Sequence, residues 1–135
     1  MQLGRRFRAL KLWMVIRAFG AEGLAERIRW HVQLAQEFAQ WVRDEPGWEV
    51  AAPHPLSLVC FRHAPDGTSE AERTALNARI MHDVNATGEA FLSHTTLDDR
   101  HVLRLAIGNI RTDRRHVARA WELLRAATAK SGSAV

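Results

Sequence analysis

The chain has 135 residues, 47% of them hydrophobic and 25% charged, with a formal net charge of +4. This length holds one domain with a real core, and the composition excludes a fibrous, low-complexity or disordered protein. Lys11 and Lys130 are the only lysines, so the basic excess is arginine spread along the chain. That distribution suits solvated helix faces better than a nucleic-acid patch.

The elements follow in chain order. Residues 5–18 carry Phe7, Leu10, Trp13 and Met14 at helical spacing. Leu12, Val15, Ile16 and Phe19 add a second stripe, so the predicted helix is apolar over most of its circumference. Such a helix must be buried on two sides or cover a partner. Lys11 and Arg17 interrupt it, which rules out both a secretory signal and a membrane span of about 20 apolar residues. Gly20 is a candidate C-cap.

Residues 21–43 predict a second helix, with Leu24, Ile28, His31 or Val32, Ala35, Phe38 and Val42 on its inner face. Asp44-Glu45-Pro46-Gly47 ends it in a turn. The period then changes, and residues 48–50 and 56–62 read as short strands joined around Pro53-His54-Pro55. After the turn at Pro65-Asp66-Gly67, Thr68 or Ser69 caps a helix through Leu76, Ile80, Met81 and Val84 to Thr87-Gly88. Residues 90–96 and 101–107 predict a hairpin around Asp98-Asp99. Thr112-Asp113 caps the last helix, with Val117, Ala120, Trp121, Leu124 and Ala127 facing inward. A frayed tail is expected from Lys130. This order predicts an α+β domain: a small antiparallel sheet of about four strands with helices packed on one face.

The same residues hold no self-contained catalytic centre. His54 and His63 flank one strand and His94 and His101 flank the hairpin, but none forms a metal-ligand pattern. No glycine-rich phosphate loop is present, and Ser57 and Ser93 lack a positioned base. Asp98-Asp99 is explained by turn geometry. The five tryptophans are expected in the core rather than on a base-stacking platform. Cys60, the sole cysteine, lies in an apolar strand and reads as a buried structural thiol of a reducing, cytoplasmic environment.

Several stretches nonetheless have a familiar order. "QLGRRFRALKLWMVIRAFGAEGL", the 29–38 stretch "RWHVQLAQEF", "LSLVCFR" at 56–62, "DDRHVLRLAIGNIRT" at 98–112 and "HVARAWELL" at 116–124 occur in sequence. Together they resemble the carboxy-terminal part of the pyridoxal-phosphate-dependent group II amino-acid decarboxylases, above all the aromatic-L-amino-acid branch. The resemblance covers nearly the whole chain.

It implies the small domain of a fold type I enzyme, with residues 1–20 as a connecting or interface helix, 21–130 as the domain and 131–135 as a disordered tail. It also implies a missing large domain carrying pyridoxal 5'-phosphate on the lysine of a His-x-Lys signature, a homodimer partner and an amino-acid substrate. Neither Lys11 nor Lys130 lies in such a signature, so no cofactor-binding, catalytic or metal residue is expected within the chain, and the chain alone should bind no cofactor. By position in the family motif, Leu3 and Gly4 would line the substrate cleft, across the dimer. Glycine at such a place lets backbone approach a ligand closely. Arg5, Arg6 and Arg8 would dock the chain to the large domain or the partner subunit. Arg104 is assigned a structural role, needing a partner if it faces inward. Neither nucleic acid nor membrane is an expected partner. The alternatives are a relative acting on glutamate, histidine or a diamine, and a stand-alone binding module that uses its basic first helix.

Overall fold

The computed structural model describes residues 8–132, with side chains through residue 129. Three helices and four strands follow in the order α1 (Ala9–Asp44), β1 (Trp48–Val50), β2 (Leu58–His63), α2 (Glu70–Ala86), β3 (Ser93–Leu97), β4 (Arg100–Ala106) and α3 (Arg114–Gly132). The strands form one antiparallel sheet in the order β1-β2-β4-β3. This is the α+β architecture the sequence predicts.

Residues 9–44 form one continuous helical element broken at Gly20, whose φ of 67° and ψ of 175° are non-helical. A positive φ is nearly free for glycine, so the two predicted helices are joined at this residue without a connecting loop. α2 starts on a reciprocal cap. The Ser69 hydroxyl accepts from the Glu72 backbone N–H, and the Glu72 carboxylate accepts from the Ser69 backbone N–H at 2.7 Å. Asp113 opens α3 by accepting from the Arg115 backbone N–H. α3 continues through Gly132, into the stretch expected to fray; residues 133–135 lie outside the described residues.

The core joins all three helices to one face of the sheet. Leu34, Phe38 and Val42 of α1, Ile80 and Val84 of α2, and Val117, Trp121 and Leu124 of α3 pack with Val59, Phe61, Leu103 and Leu105. Strand alternation turns Glu49, Cys60, Arg62 and Arg104 to the other face. Cys60 is therefore half-buried outside the core, not a core thiol as predicted. Arg104 stands beside Cys60 and Ser93 on this face, so the helices ask no partner of it.

Two polar clusters hold α2 to the sheet. Asn77 is fully buried, accepts from the His63 N–H at 2.9 Å and donates to the carbonyls of His63 and Arg73. Its amide thus pairs with the backbone of β2 beyond Phe61, the last β2 residue registered with β4. Arg62, only 3% exposed, donates to Glu49 from β1 and to Glu70 from the first turn of α2, each at 2.5 Å. A buried cation so placed is matched on both sides by carboxylates that stay partly exposed.

Replacing Asn77 by alanine strands the N–H and C=O of His63 inside the fold. A urea melt should show a loss of about 3 kcal/mol, from two unsatisfied buried groups and a small cavity. A loss below about 1 kcal/mol would contradict the role given to this amide.

Candidate interaction surface

Helix α1 has two unlike halves. From His31 onward its inner face is buried at Leu34, Ala35, Phe38, Ala39 and Val42. Before His31 no described residue is buried. Leu10, Leu12, Trp13, Met14, Val15 and Ile16 are 39–60% exposed, and together they lie all around the helix. The prediction of an apolar helix that needs cover is met by a helix that lacks it. Ile28 and Trp30, expected inward or in the core, are also exposed. The chain's own core is filled from Leu34 onward, so no facing layer is left for the helix before His31.

The polar side chains of this segment do little to screen it. Arg27 lies over the Phe19 ring at 4.2 Å from its centroid and donates to the Ile110 carbonyl at 3.3 Å. That bond attaches the exposed half of α1 to the loop after β4. Arg8 is exposed at the helix start, where its carbonyl accepts from Leu12, and its guanidinium forms no ion pair among the described residues. Leu3, Gly4, Arg5 and Arg6 lie outside the described residues.

The histidines do not assemble a metal site, and no group of three or more His, Cys, Asp or Glu among the described residues could hold a metal ion. They do hold one pairing that sequence reasoning missed. His94 and His101 stack with centroids 4.8 Å apart. The two-residue turn fixes Leu97 opposite Arg100 and Thr96 opposite His101, so period-two alternation puts His94 diagonally on the same face. Burial, aided by His94, lowers the pKa of His101, whose Nε2 is buried without a hydrogen-bond partner. Burial also lowers that of His63, in part offset by the Gly47 backbone. His54, by contrast, is tied to α1: its carbonyl accepts from Gln36 and its ring bonds Arg43.

Tryptophan placement corrects a further expectation. Trp48 and Trp121 are core residues, Trp41 is half-buried under the Arg114 guanidinium, and Trp13 and Trp30 are exposed. No helix among the described residues is long and apolar enough to cross a membrane.

Two measurements follow from this geometry. Leu12→Ser, Trp13→Ser and Ile16→Ser together should move the unfolding free energy by less than about 1 kcal/mol, because none of the three is buried in the chain; a loss of several kcal/mol would mean these side chains pack intramolecularly. For His63 and His101, a lowered folded-state pKa means that the unfolded chain takes up protons more readily. Their stabilisation is complete above the ordinary value of about 6.5 and is lost as pH falls below it. Urea midpoints should drop between pH 7.5 and 5.5, and the drop should shrink in the His63→Gln, His101→Gln variant. A midpoint that rises on acidification would refute this assignment.

Against known proteins, the conserved domain of pyridoxal-dependent decarboxylases matches residues 1–64. The chain is 47% identical over 123 residues to tryptophan decarboxylase 2 of Oryza sativa, covering 91% of this chain and 25% of the relative. It is 45% identical over 122 residues to the phenylacetaldehyde synthase of Arabidopsis thaliana, covering 90% and 25%. The crystal structure of Oryza sativa TDC with PLP and tryptamine superimposes with a TM-score of 0.84 at 38% identity, over 97% of this chain and 28% of that one. The chain thus spans about a quarter of the length of the relatives it matches.

The residues present do not fit covalent attachment of the cofactor. Lys11 follows Ala9-Leu10 on the exposed half of α1, Lys130 follows Thr128-Ala129 in α3, and the buried cation Arg62 is already paired to two carboxylates. What the chain shares with its relatives is a fold and the sequence that forms it, and on both counts it is similar to one part of the pyridoxal-dependent decarboxylases.

Proposed function

We propose that this chain is the carboxy-terminal small domain of a pyridoxal-phosphate-dependent decarboxylase of aromatic L-amino acids. In this reading a large domain supplies the cofactor and its lysine, and a second subunit completes the enzyme. The observation that carries the reading is the uncovered apolar half of α1, in a chain that spans a quarter of its relatives. A run of exposed large apolar side chains of this kind is what an interface presents. The aromatic substrate class rests on relatives named as tryptophan decarboxylase and phenylacetaldehyde synthase.

The division of labour follows from the chemistry. Decarboxylation needs an electron sink for the carbanion and an amine to hold and exchange it, which the cofactor and its lysine provide. This chain contributes shape. Leu3 and Gly4 form part of the substrate cleft wall, where the absent glycine side chain leaves room for an aromatic ring. Arg5, Arg6 and Arg8 dock to carboxylates and carbonyls of the large domain or the partner subunit.

The purified 135-residue chain should show no cofactor absorbance with pyridoxal phosphate and release no carbon dioxide from L-tryptophan. A chimera in which it replaces the corresponding quarter of the rice tryptophan decarboxylase should retain the cofactor and turn over. In that chimera Gly4→Leu should cut turnover at low tryptophan by at least about tenfold while leaving cofactor absorbance intact. Turnover by the isolated chain, or a chimera that folds without retaining cofactor, would overturn the proposal.

A further inference from the structure

Outside α1, the exposed large apolar side chains among the described residues are three: Leu56 at 66%, Phe91 at 82% and Ile110 at 55%. They come from three separate loops, and the register brings all three to one end of the sheet. Leu58 pairs with Ala106, so Leu56 precedes β2 at the end where β4 finishes and Ile110 follows it. Ser93 pairs with Arg104, so Phe91 lies just beyond β3 at this same end. The opposite end, with the Asp98-Asp99 and Pro65-Asp66-Gly67 turns, exposes no large apolar side chain. Single exposed hydrophobics are ordinary, but segregation of all three to one end is not.

The loops that carry them are held in place. Asn85 of α2 donates to the Leu92 carbonyl and accepts from the Leu92 N–H, and Glu89 is clamped by Arg119 of α3. The Ile107 N–H donates to the Ser57 carbonyl, and the Ile110 carbonyl accepts from Arg27. Apolar side chains fixed in water in this way gain nothing from the isolated fold, and they bind at low entropic cost. The Arg27 bond also brings the exposed half of α1 to this end, so the two uncovered surfaces adjoin.

We infer that Leu56, Phe91 and Ile110 form a second docking rim for the cofactor-bearing large domain, continuous with the exposed half of α1. The inference rests on the functional reading above, which supplies the occupant. The rim sets the orientation of the small domain as a three-point contact, whereas α1 alone would leave the domain free to swivel about one helix.

The test compares the rice chimera with and without Leu56→Ser, Phe91→Ser and Ile110→Ser. The triple variant should lose cofactor on gel filtration and at least tenfold of turnover, while the same substitutions in the 135-residue chain leave its urea midpoint unchanged. A substituted chimera within twofold of its parent in both readouts overturns the rim and leaves the functional reading standing. An unsubstituted chimera without cofactor overturns that reading, and the rim falls with it. Serines that abolish self-association of the isolated chain while sparing the chimera would assign the rim to a second copy and also overturn the inference.

Discussion

The fold depends on an aromatic cluster that ties the first and last helices to the sheet. Phe38 of α1 meets Phe61 of β2 edge-on at 5.0 Å and Trp121 of α3 at 5.7 Å, and Trp48 of β1 meets Trp121 at 5.3 Å. Four rings from four elements thus share one set of contacts, each adding a directional preference to the area it buries. Because Phe38 and Trp121 lie 83 positions apart, the cluster closes a long loop between the first helix and the last. Ion pairs at its margin, Arg114 to Glu37 and Arg125 to Glu45, hold α3 along α1 but are exposed and add little.

That cluster also decides which part of α1 is surplus. An inner stripe beginning at His31 suffices to cover the sheet face, and little of the chain's own remains for residues 9–30 beyond the Arg27 bond to the Ile110 carbonyl. A helix as apolar as residues 10–16 would ordinarily be the most buried element of a small domain. Here its position, beyond a glycine break and outside the core, makes it the least buried. The local and global preferences of this segment conflict within the chain, and they agree only if another surface covers it.

Much of this architecture is legible from periodicity and punctuation. The switch from period 3.6 to period 2 after Pro46-Gly47, the cap at Thr68 or Ser69 and the Asp98-Asp99 turn place every element after α1 within a few residues. Both turn aspartates take positive φ, 49° and 60°, a conformation aspartate tolerates better than most residues. The inner face of α3 is also as its spacing predicts. Periodicity fails where side is decided by tertiary context. Ile28 and Trp30 are hydrophobic at plausible positions but precede the point where α1 meets the sheet. Cys60 sits in a run of apolar residues, yet alternation from buried Val59 and Phe61 sends it outward. The His94–His101 stack needs the hairpin register, which becomes visible only once the two-residue turn is fixed.

The functional surface was legible in a different way. No residue within the described part of the chain carries the geometry of a catalytic group: the two perturbed histidines owe their shifts to burial, and the buried arginine is neutralised by its neighbours. The informative signal is an excess, of apolar surface over what the chain can bury. A domain that evolved to stand alone would place polar residues at positions 10, 13, 14 and 16 at almost no cost to its own core, since none of them touches it. That Leu, Trp, Met and Ile stand there instead supports the proposal of a covering surface outside the domain. The same reasoning extends to Phe91 on its clamped loop, where a serine would satisfy every hydrogen bond that now fixes Leu92. In the proposed enzyme catalytic power would reside in the assembly, and this chain's proposed share is to help fix where the wall of the cleft stands relative to the group that reacts.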